Sequence, residues 1–358
     1  SWQGSKKRTE KAILTYVPFI GDVMDKVLVT GATGFIGLHC IQQLLDQGYE
    51  VRGTLRTENR KNEVKEAMKK HSSNPQNLEL VFTDLLKDEG WDEAVKGCKY
   101  VLHVASPLIL ETPDHEDDFI KPAVEGTLRV LNASKANQIE KVVLTSSFAA
   151  IGYRNPVKIY DETDWTNTES PIGAYAKSKT LAERAAWDFM KELSDEDKFD
   201  LTVINPVAVT GPMLSDDIGT SNTLLVRLLS GSMYACPRIH MGFVDVRDVA
   251  KAHIFSMTSE KTNNERIILV HKEMFFAEMG RILKSAGFEK SLTRELPDFL
   301  VRLFLPLFTK QLGGITRLLG REVYTNKDKA NGLFDWEYVS AEDSAIETAK
   351  QLESMGLI

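Results

Sequence analysis

Val27-Leu-Val-Thr-Gly31-Ala-Thr-Gly34-Phe-Ile-Gly37 is the stretch on which the fold turns. An aliphatic run of strand length breaks into Gly-x-x-Gly-x-x-Gly and continues as an amphipathic stretch over 36–47. Each glycine serves a distinct physical purpose. Gly31 permits a tight turn out of the strand, Gly34 keeps a Cβ out of the way of a bound pyrophosphate, and Gly37 lets the helix pack close to the sheet. Thr33, Phe35 and Ile36 complete the turn. There the free N–H groups and positive dipole of a helix N-terminus favour phosphate. The motif sits at a strand–turn–helix junction, the context that gives it meaning, and it predicts a dinucleotide site.

Working outward, aliphatic and β-branched runs at 26–30, 49–55, 78–83, 100–104, 141–146 and 201–205 alternate with helical patterns at 36–47, 61–70, 89–97, 117–137 and 175–193. Near-continuous apolar strands alternating with helices predict an α/β, Rossmann-type, doubly wound parallel sheet. The expected core spans 24–206. Residues 207–358 read as a smaller, mostly helical, substrate-binding region interleaved with it, part of 243–270 returning to the sheet. Residues 1–23 read as an extension outside the core.

The chain has 358 residues, 42% hydrophobic and 27% charged, with a formal net charge of −7. No Lys/Arg run is long enough to track a phosphate backbone, so nucleic acid is not an expected partner. The ten-residue apolar run 299–308 is too short to span a bilayer and carries Arg302 and Pro306. The basic start is followed only by a short apolar stretch at 12–20, without a signal peptide's length or cleavage site. Cys40, Cys98 and Cys236 are far apart and form no CxxC, which suits a reducing compartment and small core residues. The expected location is cytoplasmic.

The second strand ends Val51-Arg-Gly-Thr-Leu-Arg56, without the acid that usually binds both ribose hydroxyls of NAD. A guanidinium there suits the 2′-phosphate of NADP(H), with Arg56 the expected contact and Arg60 or Lys61 assisting. Tyr175 and Lys179, four apart, share a helix face. A phenol is a poor acid–base catalyst at neutrality until a nearby ammonium favours its anion. Upstream, Thr145-Ser146-Ser147 closes a predicted strand, and Ser147 is the expected donor to a substrate oxygen, with Ser146 the adjacent competitor. The seven histidines form neither HxxxH nor HExxH and no Gly-x-Ser-x-Gly elbow occurs, so no metal and no serine nucleophile is expected. His103 reads as a core imidazole at a strand end.

These landmarks together resemble the extended short-chain dehydrogenase/reductase family, in the branch of dihydroflavonol, cinnamoyl-CoA and methylglyoxal-type aldehyde reductases. The resemblance covers about residues 24–258. It rests on Val29–Gly37, Val51–Arg56, Thr83-Asp-Leu85, His103-Val-Ala-Ser-Pro107, Thr145-Ser-Ser147, Tyr175-Ala-Lys-Ser-Lys179, Asn205-Pro206, Gly211-Pro212 and Phe243-Val-Asp-Val-Arg-Asp-Val-Ala-Lys-Ala-His253. It implies that Asp84 and Leu85 flank an adenine and that Val104, Ala105 and Ser106 line the nicotinamide-ribose side. Pro206 and Val209 would lie near the nicotinamide, with Ser147, Tyr175 and Lys179 as catalytic residues. The implied reaction is reversible hydride transfer from NADPH to an aldehyde or ketone, with a small carbonyl compound as partner and a monomer or homodimer as assembly. The Asn-Trp-Tyr-Cys signature of cinnamoyl-CoA reductases is absent, and Gly152 stands where flavonoid reductases carry Asn, so a generic carbonyl substrate is expected. The competing readings are a nucleotide-sugar epimerase or dehydratase, a hydroxysteroid dehydrogenase, and a non-catalytic NADP sensor.

Overall fold

The structure, a computed structural model, describes residues 24–106, 115–153, 159–231, 234–303 and 319–358. Seven strands form one parallel sheet: β1 (Lys26–Thr30), β2 (Glu50–Leu55), β3 (Leu78–Phe82), β4 (Tyr100–His103), β5 (Lys141–Thr145), β6 (Asp200–Pro206) and, at its far edge, Arg266–Leu269. The order is Arg266–Leu269, β6, β5, β4, β1, β2, β3. The chain winds from β1 through β2 to β3, then returns to the other side of β1 for β4. That reversal opens a crevice at the carboxyl ends of β1 and β4, where such sheets take ligands.

Alternation along the strands feeds two helical layers. Val27 and Val29 enter one core with Leu38, Ile41 and Leu44 of α1 (Phe35–Asp46). Leu28, between them, enters the other, with Trp91 of α3 (Trp91–Val95) and Leu131 of α4 (Asp117–Ala136). Between α1 and α3, Lys61–His71 forms α2. The central strands β4 and β5 are buried throughout, whereas β3, at the edge, is half-exposed. Within the second layer α4 packs along α5 (Ala174–Glu192).

Among the described residues the region after 206 is mostly helical, as expected, and carries in addition a small sheet that the sequence pattern does not show. Ala208–Thr210, His240–Asp245 and Lys272–Phe275 form a separate three-stranded sheet. Its strands run three to six residues, at or below the short end of the lengths over which alternation can be read. Gly242 is required there because a Cβ would come within 2.8 Å of Val207. The expected return to the main sheet comes from Arg266–Leu269, while residues 243–245 stay in the small sheet. Residues 1–23, and the part of the apolar run 299–308 beyond 303, lie outside the described residues. Among the described residues no helix is long and apolar enough to cross a membrane, and no metal-binding group of His, Cys, Asp or Glu occurs. The three cysteines are buried and unpaired.

Candidate active site

The glycine turn has the expected geometry. Gly31 adopts φ +74°, and a Cβ on it would meet Ala105 Cα at 3.0 Å, so the β1 and β4 turns touch. A Cβ on Gly37 would lie 2.2 Å from the Gly31 carbonyl oxygen, which fixes how closely α1 approaches the strand. At Gly34 a Cβ would point into space, with only the Gly31 oxygen at 3.4 Å. Gly34 caps α1 without a side-chain bond and no acid sits in the first turn. The N–H groups of Phe35, Ile36 and Gly37 find no backbone acceptor among the described residues. Open space above Gly34 and free donors beside it fit the pyrophosphate of a dinucleotide.

The cations near β2 separate by their partners. Arg52 donates to the carbonyls of Glu93, Ala94 and Lys96 (3.2, 2.9 and 2.7 Å) and to Glu79 (2.8 Å), which clamps the end of α3. Arg60 is held by Glu63 at 2.8 and 2.7 Å and reaches the Thr33 carbonyl at 3.5 Å. Lys61 pairs with Glu58 at 3.2 Å above the Phe82 ring. Arg56, at the carboxyl end of β2, is exposed.

On α5, Tyr175 and Lys179 share a face, and the Ser147 hydroxyl lies close enough to the Tyr175 phenol to favour its anion. Ser147 also accepts from the Ala149 N–H at 3.1 Å, and its carbonyl accepts from Asn205 at 3.2 Å. Ser146 is committed elsewhere: its hydroxyl donates to the buried Glu183 carboxylate at 2.5 Å. The two adjacent hydroxyls are thereby told apart, with Ser147 on the phenol's side. Tyr175 is 46% exposed, and the desolvation of its buried part raises the phenol pKa, opposed by the Ser147 hydroxyl. Burial lowers the Lys179 pKa to about 8, opposed by the charge of Glu183.

Thr30 ties the β1 and β4 ends together. Its hydroxyl accepts from the N–H groups of Val104 and Ala105 at 3.0 and 2.9 Å, and donates to His103 Nδ1 at 2.8 Å. That leaves the His103 proton on Nε2. Burial, with Lys179 nearby, drops this imidazole to about 3, so it is a neutral core group. Leu85, Ala105 and Ser106 line one small cavity with Lys179. Asp84 instead caps the Leu86 N–H at 3.0 Å. Pro206 ends β6, whereas Val209 is buried in the core. The Phe148 ring fills the space over Gly152, where a Cβ would come within 2.4 Å of it. Sequence reading missed Glu183, Asn205, Thr30 and Arg266. For Glu183 a signal existed, since it follows Lys179 by four residues.

The profile of the NAD dependent epimerase/dehydratase family matches residues 27–270. A cinnamoyl-CoA reductase of Medicago truncatula is 34% identical, the match covering 91% of this chain and 95% of that protein. An NADPH-dependent methylglyoxal reductase of Saccharomyces cerevisiae is 31% identical over 91% and 97% of the two chains. The crystal structure of yeast methylglyoxal/isovaleraldehyde reductase complexed with NADPH superposes with a TM-score of 0.77 at 29% identity, covering 93% of this chain and 100% of that one.

Proposed function

The chain belongs to the NAD dependent epimerase/dehydratase family, whose members include the extended short-chain dehydrogenases/reductases, and on that premise we propose that it is an NADPH-dependent reductase of aldehydes or ketones, working reversibly. The observation that carries this reading is the gathering of Ser147, Tyr175 and Lys179 at the carboxyl edge of the sheet, with Ser147 beside the phenol and Lys179 one helical turn on from it. The reductase names and NADPH complex of its relatives support it.

When bound, NADPH supplies the hydride for the carbonyl carbon. In this reading the glycine turn holds the pyrophosphate and Arg56 the 2′-phosphate. Asp84 and Leu85 take the adenine side, Val104, Ala105 and Ser106 the ribose side, and Pro206 and Val209 the nicotinamide side. Residues 24–206 carry the coenzyme, and 207–358 complete the pocket for the carbonyl compound. Ser147 orients the carbonyl oxygen, and Tyr175 gives it the phenol proton. With the phenol pKa raised and that of Lys179 at about 8, neutral pH finds a protonated Tyr175 beside an ammonium, the pair a reduction requires. The ammonium then stabilises the phenolate left behind, until solvent returns the proton. With Phe148 over Gly152, an Asn in that position has no room, which favours a generic carbonyl substrate over a flavonoid. Three unpaired buried thiols suit the cytoplasm.

NADPH oxidation across a panel of aldehydes and ketones tests the reading. Tyr175→Phe should lower kcat by about 10²–10⁴-fold, with Ser147→Ala weakened and Ser146→Ala much less so. A Tyr175→Phe variant that keeps most of its activity refutes the assignment.

A further inference from the structure

We propose that Glu183 is a positioning residue that holds Lys179 in its ammonium form across a cavity the size of one water molecule. The proposal rests on the reductase reading of Tyr175 and Lys179 and adds to it the group that sets their charge.

Residues 175, 179 and 183 follow one another at helical spacing on the same face of α5. Glu183 is 1% exposed, and its carboxylate is saturated by donors. One oxygen accepts from Ser146 (2.5 Å) and Asn205 (2.7 Å), the other from Arg266 Nε (2.5 Å) and Trp187 (3.3 Å). Arg266, on the edge strand, is 8% exposed. It donates to the carbonyls of Glu162 and Asp164 at 2.8 Å each and lies 3.6 Å from the Trp165 ring centre. Replacing such an ion pair with apolar groups is often neutral or stabilising, so stability alone is a weak reason for it.

Among the described residues, Glu183 makes its ion pair with Arg266, and none within 4 Å joins it to Lys179. Both line a cavity of about 20 Å³, which Arg266 does not reach. That volume suits one water molecule. The other groups facing Lys179 there are uncharged. From β4, His103 is neutral; from β5, the Ser146 hydroxyl is spent on Glu183 and Thr145 bonds His253 at 2.6 Å. The α4 side of the cavity offers only Ala123 and Thr127. Tyr175, one turn earlier, holds its proton. The carboxylate end of the Glu183–Arg266 pair is therefore the charge that Lys179 meets, and Arg266 tempers it from behind. The pair also anchors α5 to β5, β6 and the edge strand, which fixes the lysine's height over the sheet.

The test follows Lys179 directly, by ¹³C NMR titration of its side chain in the coenzyme-free protein, with Lys179→Arg assigning the resonance. Glu183→Gln should lower its midpoint by about one pH unit, the order expected for one buried charge beyond contact distance and partly offset. Glu183→Asp, which keeps the charge, should restore most of it. The alkaline limb of kcat/KM for carbonyl reduction should move with the midpoint. If Glu183→Gln does not fold, Glu183→Gln with Arg266→Gln removes the unmatched guanidinium as well and should show a downward shift of the same sign but smaller size. An unmoved midpoint in the folded variant, or equal losses in the Gln and Asp variants with no change of profile, overturns the proposal. A native enzyme that reduces no carbonyl compound would overturn the reductase reading instead, whatever the NMR midpoint does.

Discussion

Removing the Arg56 guanidinium should convert a coenzyme preference into near-indifference, because the neighbouring cations are already committed. Arg52 is spent on three carbonyls and Glu79, Arg60 on Glu63, and Lys61 on Glu58. Only Arg56 stands exposed at the end of β2 with no ion pair or hydrogen bond among the described residues. A hydrogen bond to a charged group contributes about 1.5–3 kcal/mol. At an exposed position in physiological salt the lower half of that range applies, because screening acts over about 8 Å. About 1.5–2 kcal/mol corresponds to roughly a 10–30-fold change. Arg56→Ala should therefore raise the KM for NADPH by that factor and leave NADH unchanged, since NADH has no 2′-phosphate. The assay is kcat/KM for both coenzymes at low and high salt, and the native preference should shrink as salt rises. Arg52→Ala is the control: it unclamps α3 and should lower Tm while the coenzyme ratio holds. If the ratio in Arg56→Ala moves less than threefold, or if Arg52→Ala moves it more, the assignment of the phosphate contact is wrong.

Two further outcomes follow from packing and from titration. Gly37→Ala puts a Cβ 2.2 Å from the Gly31 carbonyl oxygen, a backbone atom that cannot swing aside. Overpacking of this kind costs about 1–3 kcal/mol, so Tm should fall and coenzyme affinity should drop at least tenfold, and a variant with native affinity by fluorescence titration would count against the turn's role. The second concerns Lys141, which is 4% exposed and whose pKa burial lowers to about 8 from 10.5. A lysine with a depressed folded pKa costs stability below that value, and the cost is relieved as pH rises from about 8 towards 10.5. At 1.36 kcal/mol per unit, relief amounts to about 3 kcal/mol. Chemical denaturation of the native protein and of Lys141→Met between pH 7 and 10.5 should show the native protein gaining on the variant as pH rises, and a gap independent of pH would refute it.

The sheet was legible because its strands are buried on both faces and read as unbroken aliphatic runs. The expected run 26–30 matches β1, and 141–146 overshoots β5 by one residue. Glycine chemistry was legible because backbone demands constrain residue identity directly: Gly31 holds φ +74°, and Gly37 stands where a Cβ would lie 2.2 Å from a backbone oxygen. What sequence pattern does not carry is the partner of a polar side chain. Ser146 and Ser147 are chemically identical and adjacent, and only the third dimension shows that one faces Glu183 and the other Tyr175. Likewise two arginines four residues apart, one in β2 and one just past its end, look equivalent, until α3, some forty residues away, claims Arg52. The Glu183–Arg266 pair joins residues 83 apart in sequence and contributes to no periodic pattern. The small sheet was missed because its shortest strand has three residues, below the length at which alternation can be told from chance. The residues hardest to find in sequence are thus those whose role is set by a contact between distant segments. Two of them, Glu183 and Arg266, are the pair proposed above to be responsible for the charge on Lys179.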